Sequence, residues 1–117
     1  MWKTLAACLL VLATAQSLAA ESSSCQESDA IRLSGPNLSI QQMEALGLKY
    51  AARNPKAPQV PFAYGNKDWL WLKAQYLSGD RFVAYEQLWP PSGKAFAWGY
   101  ALVRGQCVLG LLGTRVA

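Results

Sequence analysis

Two cysteines, Cys25 and Cys107, bracket nearly all of the foldable chain. Joined, they close a loop of roughly 80 residues and stabilise the fold by about 4 kcal/mol in the chain-entropy model. The residues ahead of them favour joining. Met1-Trp2-Lys3 is a short basic start, Thr4 to Thr14 is an unbroken apolar run, and Ala13-Thr14-Ala15 and Ser17-Leu18-Ala19 are small-x-small sites. That order reads as a secretory signal peptide over residues 1–20, cut between Ala15 and Ala20, with an apolar run too short to span a bilayer. Cys8 leaves with the signal, and no transmembrane segment remains after it. An even pair of cysteines in a periplasmic or secreted protein reads as a disulfide.

The remaining length suits one small domain, residues 21–117, opening with a flexible polar leader (21–30). The formal charge is +4, and the basic residues are scattered singly rather than in a stripe. Nucleic acid is therefore a poor match as a partner. The chain has no histidine. This removes the usual general base near neutral pH, the commonest transition-metal ligand, and Ser-His or Cys-His nucleophiles. Catalysis by paired carboxylates would have to use Glu44, Asp68, Asp80 or Glu86, which read more simply as solvated surface charges. No Gly-rich phosphate motif occurs. The expectation is a protein that is not an enzyme, with no cofactor and no metal.

One helix announces itself. Ser39 with Gln42 forms a capping box, and Leu38 with Met43 forms a hydrophobic staple. Ile40, Met43, Leu46 and Tyr50 recur at helical spacing, Gly47 weakens the middle, and Asn54-Pro55 stops the run. Lys49 and Arg53 suit the negative end of the helix. Pro55, Pro58 and Pro61 suggest an extended linker. Ile31-Arg32-Leu33 alternates like a short strand, and Ser34 to Asn37 reads as a turn. The rest reads as antiparallel strands over Trp69–Ser78, Arg81–Trp89, Lys94–Val103 and Gln106–Thr114.

Turn geometry then sets the register. A two-residue turn at Gly79-Asp80 places Lys73 opposite Glu86. A four-residue loop at Pro90 to Gly93 places Tyr85 opposite Trp98. A turn at Gly105-Gln106 places Tyr100 opposite Leu111. On this register the bulky side of the sheet carries Val83, Tyr85, Trp98, Tyr100, Leu102, Leu109 and Leu111, and packs on the helix. Cys107 falls on the same side. The other side carries Trp69, Trp71, Lys73, Phe82 and Glu86, and continues through Ala97, Gly99 and Ala101. An under-charged surface of this size marks a docking face, or else a face covered by the curl of the sheet or by the Pro-rich segment. Trp69, Trp71, Lys73 and Glu86 are its candidate binding residues.

The fold class expected is α+β, with one N-terminal amphipathic helix packed on a four- to five-stranded antiparallel meander sheet. By shape this resembles the cystatin-type arrangement, which carries no function with it. Ser78-Gly79-Asp80-Arg81-Phe82, then Leu88-Trp89 and Ser92-Gly93-Lys94-Ala95-Phe96, loosely resembles signature segments of periplasmic inhibitors of c-type lysozyme. The spacing differs, and those all-β barrels have no helix, so nothing of their sites transfers. The function expected is an exported protein-binding module, such as an inhibitor or immunity protein acting on an envelope-targeting enzyme. The alternatives are an accessory or structural subunit of a cell-envelope assembly, with a possible homo-oligomer, and a glycan-binding protein that stacks sugar on Trp69 and Trp71.

Overall fold

The computed structural model describes Cys25 and residues 30–117. The expected signal peptide and most of the expected leader lie outside the described residues. The architecture is α+β. Strand β1 (Ile31–Leu38) is followed by helix α1 (Ile40–Ala52), a short 3₁₀ turn (Ala63–Gly65) and helix α2 (Asn66–Gln75). Strands β2 (Arg81–Trp89), β3 (Lys94–Arg104) and β4 (Cys107–Val116) complete a four-stranded antiparallel sheet in the order β1-β2-β3-β4. No helix of the described residues is long and apolar enough to cross a membrane.

Helix α1 begins where its capping residues dictate. The Ser39 hydroxyl accepts from the Gln42 N–H, and the Gln42 side chain accepts from the Ser39 N–H. Its buried positions are Met43, Gly47 and Ala51. Gly47 is there because Phe62 lies against it: a β-carbon at this position would come within 2.8 Å of the Phe62 ring. The helix is not the first element, since β1 precedes it and runs beyond Leu33 to Leu38. The expected turn at Ser34 to Asn37 survives as an irregularity in that strand, where Ser34 pairs with Ala84 but Leu38 with Phe82.

A second helix replaces the expected strand over Trp69–Ser78. Trp69, Leu72 and Tyr76 lie at helical spacing; the first two are fully buried, and Tyr76 packs against the same core. Asp68 in the first turn and Lys73 in the last suit the helix dipole. Consequently Gly79-Asp80 is no hairpin. It turns α2 into β2, with Gly79 at φ 93° and the Asp80 carboxylate accepting from the Leu77 N–H at 2.9 Å. The Lys73–Glu86 pairing does not form. Nor is the proline segment an extended linker. Gln59 Nε2 donates to the carbonyls of Ala51, Asn54 and Ala57, and the Phe62 N–H donates to the Gly47 carbonyl at 2.9 Å. The segment is folded back along α1, and Phe62 enters the core in the left-handed region at φ 65°.

The other three of the four expected meander strands are present, and two bulges change their facing. Trp89 pairs with Lys94 and Leu88 with Ala95, as the loop geometry requires. Phe96 is then an extra residue, so Tyr85 faces Gly99 rather than Trp98. Leu109 is an extra residue on β4, so Tyr100 faces Leu112 rather than Leu111. A one-residue slip exchanges the two sides of a strand. Phe82, Leu102 and Leu112 therefore join Met43, Phe62, Trp69 and Leu72 in the core beneath the helices, with Tyr100 and Leu109 packed against it. Val83 and Tyr85 lie on the other side with Ala101, Val103 and Val108. These residues and Ala97 are buried, so the slim side of β3 is not an open docking face. Cys25 and Cys107 form a disulfide with Cα atoms 5.3 Å apart, compatible with an oxidising compartment.

Candidate binding groove

The four residues expected to bind together are separated. Trp69 is wholly buried, with its indole N–H directed at Glu44 at 3.4 Å. Lys73 pairs with the same Glu44 carboxylate at 2.9 Å. Trp71 is exposed and rests over Gly110 on β4. Glu86 pairs with Arg32 of β1 at 2.9 Å. A sugar cannot stack on Trp69 and Trp71 together, because only one of them reaches the surface.

The concave surface lies at the other end of α1. Three recesses there share Tyr50, Arg53 and Thr114, and the two larger measure about 340 and 370 Å³. One runs under the proline segment past Phe62 to Tyr64, another reaches Lys49 and Tyr100, and the third opens on Trp98 and Arg115. Together they make a groove between the helix end, the 3₁₀ turn and the last residues of β4. Tyr64, at 76% exposure, stands at its mouth as an aromatic surface left in water.

A third bulge builds the floor. Gly99 faces Gly113, but Trp98 faces Arg115, so Thr114 is the extra residue. Without it, alternation would send Arg115 to the far side of the sheet. With it, the Arg115 guanidinium lies 4.0 Å from the Trp98 ring centre. Thr114 is fixed from both sides: its hydroxyl donates to the Trp98 carbonyl at 3.3 Å, and its carbonyl accepts from the Tyr50 hydroxyl at 3.2 Å. At the other wall Arg53 leans over the Tyr50 ring at 5.9 Å. The Gln59 amide occupies the Ala51 and Asn54 carbonyls at this helix end, which reduces the negative potential that the helix would present there.

The charge in the groove is one-sided. Among the described residues Lys49, Arg53 and Arg115 line it, and no carboxylate does. Elsewhere Glu44, Asp80 and Glu86 are engaged by cations. Hydrogen bonds from Lys73 hold the Glu44 carboxyl below its ordinary pKa, and those from Arg104 do the same for Asp80. A general acid needs the opposite shift. Among the described residues no cluster of His, Cys, Asp and Glu is arranged to hold a metal ion. The groove can grip an anion and stack on planar groups.

Arg53 was noted only as a cation at the helix end and Arg115 only as one of the scattered charges, because each stands alone in the sequence. Trp98 and Tyr50 read as core residues, and Thr114 only as a strand end. The signal that could have linked them is the bulge, which no local motif announces. No family model matches the chain, and comparison with curated proteins and with solved structures found no match.

Proposed function

We propose that this chain is an exported, non-catalytic binding module that acts by occupying a partner protein, and that the groove at Tyr50, Arg53, Thr114 and Arg115 is its docking surface. An inhibitor or immunity protein acting on an envelope-targeting enzyme is the form of this activity the reading favours. The observation that carries it is the groove itself, a preformed concavity with aromatic walls and, among the described residues, three lining cations and no lining carboxylate. Tyrosine, tryptophan and arginine are the residues that most often anchor a protein interface. The signal-like start and the disulfide support export. The engaged carboxylates, two of them held at lowered pKa, support binding rather than catalysis.

Capture from envelope extracts tests this. Tagged wild-type protein is expected to retain a discrete species saturably, at equimolar ratio, and to release it to untagged protein. Retention of nothing beyond a tag-only control contradicts the reading.

A further inference from the structure

We infer that the groove recognises an acidic segment of the partner protein, with an Asp or Glu carboxylate held between Arg115 and Arg53. This rests on the groove being the docking surface. The starting point is the state of the two guanidinium groups. Arg32, Lys73 and Arg104 each have a carboxylate partner. Neither Arg53 nor Arg115 makes a side-chain hydrogen bond or ion pair among the described residues; each is held by an aromatic ring instead. Ring contact occupies the face of a guanidinium and leaves its in-plane N–H edge unspent. That edge matches the two oxygens of a carboxylate.

The anion has to come from outside the described chain. Of its four side-chain carboxylates, Glu44, Asp80 and Glu86 are engaged, and Asp68 does not line the groove. Glu86, whose strand neighbour is Trp98, is neutralised by Arg32, so it does not offset the groove charge. Concavity favours a protein segment over a flat lipid surface or a polyphosphate backbone. The cations sit singly between Tyr50, Tyr64 and Trp98, spaced for a side chain and its apolar neighbours rather than for a run of phosphates. Thr114 is a positioning residue, since the bulge it forms is what puts Arg115 on this side.

The test is a titration of the full disulfide-bonded protein with an end-capped glutamate hexapeptide, followed by Trp fluorescence and amide NMR shifts. A glutamine hexapeptide and inorganic phosphate are the parallel probes. The glutamate peptide is expected to bind, more weakly as salt rises, and the glutamine peptide not to. Arg115→Gln and Arg53→Gln should each weaken binding about tenfold or more, the loss of a charge-assisted hydrogen bond. Arg115→Lys should recover only part of it. Both sites are exposed, and an unchanged melting temperature shows that the variants are folded. Equal binding of the two peptides, unchanged affinity in both variants, or phosphate competing as well as the glutamate peptide overturns the inference. Partner capture by the wild-type protein is unaffected by those results, so the binding-module reading fails or stands separately.

Discussion

Asp80 shows how a single side chain can secure a junction. It is nearly inaccessible, accepts from the Leu77 N–H where α2 ends, and receives two hydrogen bonds from Arg104 on β3. Those bonds lower its pKa in the folded protein. A depressed carboxyl pKa stabilises the fold fully above the unfolded value of about 4, and the contribution fades as pH falls through the folded value. Asp80→Asn should cost about 2 kcal/mol at pH 7. The difference from wild type should shrink steadily below about pH 4 when urea unfolding is repeated across pH. Gly47 makes a separate case. Alanine there should favour a helix by up to about 1 kcal/mol. Its β-carbon, however, would meet the Phe62 ring at 2.8 Å and the Pro61 backbone at 2.9 Å. Overpacking wins, and Gly47→Ala should destabilise by about 1–2 kcal/mol in the same assay.

The elements divide by what each leaves in local sequence. The Ser39–Gln42 capping box gave away α1, and the turn residues at Pro90 to Gly93 and Gly105-Gln106 gave away β2, β3 and β4. Helix α2 was hidden because Trp69-Leu70-Trp71-Leu72 is apolar at every position, so alternation and helical spacing fit it equally. The buried pair Trp69 and Leu72, with Tyr76 beyond, decides for the helix only once the core is known. Bulges leave no local mark at all. Phe96 and Leu109 each turned a correct loop into a wrong register, and Thr114 made a site where none was visible. Deleting Thr114 should therefore return Arg115 to the opposite side of the sheet. Far-UV circular dichroism should stay near that of the wild type while affinity for the glutamate hexapeptide is lost. Retained affinity would show that the bulge does not build the groove.

For the whole molecule, one buried cluster joins both helices to the sheet, and a disulfide ties Cys25 to the last strand. Loop-closure entropy puts the value of that bridge at about 4 kcal/mol. Urea unfolding with and without reductant should show a loss of that order. The pairing of Cys25 with Cys107 was legible because reading residues 1–20 as a signal sets Cys8 aside and leaves two cysteines. The groove was not, because it depends on the proline segment folding back until Phe62 meets Tyr50, Trp69 and Tyr100. Under the proposed binding role, function turns on which surface meets a partner. The slim side of the sheet is buried, whereas the groove is open and, among the described residues, is lined by cations without a carboxylate. Amide shift mapping with the glutamate hexapeptide asks this directly. The account predicts perturbations concentrated at residues 49–54, Trp98 and residues 113–116; shifts centred on β1 and the Val83–Ala101 side of the sheet, or none anywhere, would contradict it.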